Sequence, residues 1–181
     1  MKQQDTMNKS VFKWELVGII FIVLAGGALH FVYDWSGQWR PLAVIAAVNE
    51  STWEHLKLAF WPALVFFFIE LFYIRKSGNN FFFAKAIGIL LMPVSITVLF
   101  YAYTAFTEDM LAIDLTIFIV AVVIGQLTSY KLLKMKSLPA WTNGLGVVLL
   151  ILMTLAFATL TYYAPELPIF KDPVSGGYGI Q

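Results

Sequence analysis

The 181-residue chain has no cysteine, only two histidines, and charged side chains at 13%, about half the share usual in a soluble domain. The missing cysteine excludes disulfides, thiolate metal sites, haem-attachment motifs and cysteine nucleophiles. Two histidines are too few for a three-histidine zinc centre within one chain. Neither sign of charge is in excess: 12 Lys and Arg stand against 11 Asp and Glu, a formal net charge of +1. That leaves no basic surplus to hold nucleic acid, so no nucleic-acid partner is expected. What the chain has in abundance is apolar: 60% of it is hydrophobic and its mean hydropathy is +0.77. This is the composition of an integral membrane protein, whose first partner is the lipid bilayer.

Crossing about 30 Å of hydrocarbon takes roughly 20 mostly apolar residues. Such runs lie at about 14–35, 52–74, 81–106, 111–130 and 141–163. Backbone polar groups cannot stay unpaired in lipid, and no short alternating segments of a barrel are present. The predicted class is therefore all-α, an integral membrane bundle of about five transmembrane helices over 1–165, followed by a Pro/Gly-rich tail over 166–181. Lys2, Lys9 and Lys13 ahead of an apolar stretch with Ala25-Gly26-Gly27-Ala28 have the outline of a secretory signal. The stretch runs on through Phe31 to the interface-suited Trp35, however, so an uncleaved first span is the expectation.

Cations set the orientation. With the N-terminus in the cytoplasm, Lys2, Lys9, Lys13, Arg75, Lys76, Lys85, Lys131, Lys134 and Lys136 fall inside, and only Arg40, Lys57 and Lys171 outside. Five spans then place the C-terminal tail outside. Between the first two spans, Pro41 to Val48 is apolar but too short to cross, which predicts an interfacial or re-entrant piece. The tail carries Pro165, Pro168, Pro173, Gly176, Gly177 and Gly179, so it is expected to turn back as a cap or to stay irregular. Ala121, Gly125 and Ser129 form a small-residue row, suited to close approach by a helix of the same chain or of a homodimer partner.

Ionisable side chains within a membrane are functional candidates because they are costly there. His30 and Asp34 are four residues apart near the outer end of the first span, hence on one face. The second span opens with Asn49-Glu50-Ser51-Thr52-Trp53-Glu54-His55-Leu56-Lys57. Consecutive spans joined on one side tend to be neighbours, which predicts an outward pocket of His30, Asp34, Glu50, Glu54 and His55, with Lys57 beside it and Asp172 closing it. Imidazoles and carboxylates suit Zn, Mn or Fe. His30 and His55 with one carboxylate, from Asp34, Glu50 or Asp172, are the candidate ligands of a divalent transition metal, and Glu50 is also the candidate general base for hydrolysis of a lipid or amphipathic substrate.

A structural reading has equal claim: Ser51 and Glu54 have capping-box spacing, Lys57 can pair with Glu54, and His30 can pair with Asp34. An ion or proton transporter and a non-enzymatic assembly protein are therefore the rival functions, and whether the chain is an enzyme stays open. Toward the inner end, Glu15 and Glu70 lie at similar depth with Lys85 or Lys13 in reach, which predicts an ion-pair layer rather than a proton path.

Three stretches carry a resemblance: His30 to Trp35, Val48 to Lys57 with Phe60-Trp61-Pro62 after it, and Phe170 to Gly179. Together they resemble an uncharacterised family of small bacterial membrane proteins, a domain of unknown function. The resemblance covers nearly the whole chain and implies a bacterial cytoplasmic membrane and no established activity. More loosely, Asn49, Glu50, Ser51, Trp53 and His55 look like the early motif of the progestin and adiponectin receptor group of membrane hydrolases, which implies a zinc-ligand role for His55. The chain departs from that group in the shorter spacing of Ser51 and Trp53, in lacking its paired histidines on the last helix, and in having about two helices fewer.

Overall fold

The computed structural model describes residues 2–180, with side chains from residue 9 onward. Five α-helices make up the body: α1 (Lys2–Trp35), α2 (Thr52–Tyr73), α3 (Phe81–Thr104), α4 (Leu111–Lys134) and α5 (Trp141–Thr159). All five, α1 from Lys9 onward, are long and apolar enough to cross a membrane. Among the described residues there is no strand, only an isolated antiparallel bridge between Lys171 and Tyr178. Large apolar side chains such as Leu24, Phe72, Leu111 and Leu152 are exposed on the outside of the bundle. A surface so apolar is suited to lipid rather than water, and the chain is a multi-pass membrane protein.

The observed boundaries follow the apolar runs, with shifts that have local causes. α4 runs four residues past the apolar stretch because Lys131 and Lys134 occupy its last turn, where cations complement the helix dipole. The stem of Lys134 lies back over Tyr130, with its Nζ 4.9 Å from the ring centre. α5 stops at Thr159, where the chain tightens into a turn as Tyr162 and Tyr163 both donate backbone N–H to the Thr159 carbonyl.

α2 is the central helix, with the largest share of its span inside the bundle. It carries Pro62, which has no N–H to give the carbonyl of Leu58 one turn earlier. Against that freed carbonyl stands Gly26 of α1: a Cβ there would lie 2.4 Å from the Leu58 oxygen. Only glycine lets the two backbones come this close, and the contact sits about one turn from both His30 and His55. On the other side, Gly88 of α3 and Gly125 of α4 face each other's carbonyls in the same way, with added Cβ atoms at 2.8 and 2.5 Å. The small-residue row of α4 thus meets α3 within the chain.

The segment before α2 forms a five-residue 3-10 turn, Arg40–Val44, with Ala43 and Ala46 fully buried. The tail folds over the same end of the bundle. Phe170 packs at a tilt on Trp53, which stacks in turn on Phe157 of α5, both at 4.6 Å between ring centres. Ile180 donates its N–H to the Thr161 carbonyl, and the Asn49 side chain donates to the Gly179 carbonyl.

Candidate metal-binding site

The start of α2 is built around its N-cap. Ser51 Oγ accepts the Glu54 N–H at 3.4 Å, which is one half of a capping box. The other half is absent: the Ser51 N–H goes to Asn49 Oδ1, and the Glu54 carboxylate turns inward. This corrects the expected return bond from Glu54 to Ser51. The reason is a stronger partner, since Glu54 Oε2 meets Lys57 Nζ at 2.5 Å and also accepts the Val48 N–H.

Glu54 and Lys57 are at most 1% exposed and fully used. Lys57 has three N–H donors, and they go to Glu54, to the Ala43 carbonyl at 2.7 Å and to Thr161 Oγ1 at 2.9 Å. Thr161 passes its own proton to Glu54 Oε1. This saturated knot ties the 3-10 turn, α2 and the chain after α5 together, and leaves neither charged group free to meet a ligand. Thr161 carried no signal in the sequence, because it is a lone hydroxyl more than a hundred positions from its partners.

With Glu54 drawn inward, Glu50 and the two histidines form a separate, partly exposed group. His55 Nε2 lies 3.3 Å from His30 Nε2 and 3.3 Å from Glu50 Oε2, and His30 Nε2 lies 3.7 Å from the same Glu50 oxygen. Their side chains are 32%, 49% and 35% exposed for His30, Glu50 and His55. The hydrogen bond with His55 holds the Glu50 carboxyl below the usual glutamate range against a smaller opposing effect of burial.

The structure places Asp34 on the exposed side of α1, outside this three-residue group. The third member of the group is Glu50, one of the three carboxylates the sequence left open for that place and also its candidate base. Helical spacing alone paired Asp34 with His30, whereas the loop geometry before α2 decides where Glu50 points. Asp114, at the start of α4, lies within electrostatic reach of His55, although nothing in its spacing announced this.

Asp172 supports the group without joining it. Its Oδ1 accepts the Glu50 N–H at 3.3 Å and the Val174 N–H, and its Oδ2 accepts from the Ser175 N–H and hydroxyl. Burial raises its carboxyl affinity for protons, but these four hydrogen bonds outweigh it and hold the group below the usual aspartate range. A carboxyl lowered on folding contributes stability that is present above its unfolded value, about pH 4, and lost as pH falls through the folded one. Protection of the 172–180 amides against hydrogen exchange, relative to the unfolded-chain rate at the same pH, is therefore expected to fall only in acid, and to be low already at neutral pH in Asp172→Ala.

The family model described as a family of unknown function (DUF6512) matches residues 1–180, and the chain belongs to that family. No curated protein and no solved structure matches it.

Proposed function

For a member of a family that has no function attached to it, the site itself must carry the reading, and we propose that His30, Glu50 and His55 bind one divalent transition metal. The observation that supports this is the spacing of the three donor atoms, 3.3, 3.3 and 3.7 Å. Four tetrahedral ligands at about 2.0–2.1 Å from zinc lie about 3.3–3.4 Å from one another, so a metal fits with little movement. Three protein ligands and a fourth position open to water make a catalytic rather than a structural pattern. A metal so held lowers the pKa of its bound water enough to supply hydroxide near neutral pH.

The site stands at the end of the bundle opposite Lys9 and Lys13, which by the bias of cations is the outer face of a cytoplasmic membrane. In the proposed topology the N-terminus is cytoplasmic and the tail external. A hydrolytic centre at that level would act on a lipid or another amphipathic substrate. The alternative, in which the polar residues are structural and the chain assists assembly, is favoured for Glu54 and Lys57 by their saturated bonding, but not for the exposed histidine group.

Elemental analysis of the detergent-purified chain after reconstitution with Zn, Mn or Fe tests the reading. Near-stoichiometric metal is expected, falling to background in His30→Ala/His55→Ala of matched helicity, and metal-dependent release of fatty acid from mixed lipid vesicles would extend it to hydrolysis. No metal above background in the unaltered chain would overturn it. In Asp172→Ala, where the Glu50 backbone loses its anchor, affinity is expected to fall about 10-fold or more, as for other outer-shell partners.

A further inference from the structure

At the opposite end of α2 lies a second buried cluster, chemically distinct from the first and independent of the metal reading. Glu15 of α1, Glu70 of α2 and Lys85 of α3 are 2% exposed or less. Lys85 Nζ donates to Glu15 Oε1 at 2.7 Å and to Glu70 Oε2 at 2.6 Å, and Ser129 of α4 donates to Glu15 Oε1 at 2.9 Å. Glu15 Oε2 and Glu70 Oε1 are buried and have no hydrogen-bond donor.

The charges do not balance. Two carboxylates and one ammonium leave a net −1 among packed side chains in a membrane span, where an uncompensated charge is among the costliest things to bury. Among the described side chains no second base offsets it. Among the described side chains Lys57 and Lys85 are the buried cations, and Lys57 is committed to Glu54. On α4 the neighbouring groups are the neutral Ser129 and Gln126, whose amide donates to the Glu15 backbone carbonyl. The cations of that helix, Lys131 and Lys134, are exposed, and α5 has no charged residue. The Glu54 and Lys57 pair is the internal control: one acid, one base and no orphaned oxygen.

We propose that Glu15, Glu70 and Lys85 form a proton-binding site, in which one proton is held by the two carboxyl groups at the oxygens that lack a donor. A single proton removes the net charge and turns one orphaned acceptor into an O–H donor. Of the two carboxyl groups Glu70 holds it the larger share of the time, because Glu15 receives two donors and is the better-stabilised anion, whereas Glu70 receives one. The apolar run from Leu58 to Ile69 separates it from the histidine site, so it is a holding site and not a through-route.

Infrared spectroscopy of the full chain in lipid nanodiscs at neutral pH tests this directly. The unaltered protein is expected to show the carbonyl band of a protonated carboxylic acid. The band is expected to vanish in Glu70→Gln, and also in Glu15→Gln, where the remaining carboxylate and Lys85 balance by themselves. Absence of the band in the unaltered protein would overturn the proposal without recourse to any variant, and stoichiometric bound sodium or potassium in that preparation would identify the balancing charge as a metal cation. A band that survives in either variant would equally overturn the shared-proton account.

Discussion

Lys57→Met is expected to destabilise the protein by about 3–5 kcal/mol, the usual cost of leaving one partner of a buried ion pair uncompensated. The effect should be large here because Lys57 serves three acceptors on three separate parts of the chain: Glu54, the Ala43 carbonyl and Thr161. Its removal strands a carboxylate that is 1% exposed, and frees the 3-10 turn and the chain after α5 together. Chemical denaturation in detergent, followed by far-ultraviolet circular dichroism, measures it. The double variant Glu54→Leu/Lys57→Met is expected to recover much of the loss, because it removes the stranded charge as well as its partner. A double variant as unstable as the sum of its singles would show that the Coulombic pairing is not what holds this end.

Gly26→Ala is expected to abolish metal binding while the helices remain. A Cβ at position 26 meets the Leu58 carbonyl oxygen at 2.4 Å and Phe118 at 2.7 Å. Carbon and oxygen in contact stay about 3.3 Å apart or more, so the backbones of α1 and α2 must separate by about 1 Å. Metal sites tolerate ligand errors of about 0.2 Å, and His30 and His55 stand on opposite sides of this contact. The fold survives because overpacking costs about 1–3 kcal/mol, while replacing a mid-helix glycine by alanine returns up to about 1 kcal/mol. Gly27→Ala is the control: its Cβ would meet nothing within 4 Å, so binding should be kept and stability unchanged or slightly raised. Equal metal content in the two variants would detach the histidine geometry from this helix contact.

The local elements were readable because the physics that makes them is local. Apolar runs long enough for a bilayer gave five helices, and α2 and α3 begin at Thr52 and Phe81, where two of those runs begin. The pairing of Glu70 with Lys85 was also foreseeable from depth alone, and Lys85 indeed takes both Glu70 and Glu15. The histidine pair followed from two consecutive helices meeting at a similar level.

The sequence by itself determined that this chain builds apolar helices and gathers its histidines and most of its acids at one end, because length, hydropathy and charge bias act along the chain. Only the tertiary structure decided which acid goes where. Glu54 turns inward because Lys57, Val48 and Thr161 converge on it. Of the three carboxylates the sequence left open for the place beside His30 and His55, it is Glu50 that stands there, and not Asp34 or Asp172. Such choices depend on contacts between residues far apart in sequence, above all the approach of α1 to α2 that Gly26 and the unpaired Leu58 carbonyl allow, and no periodicity along one segment encodes them.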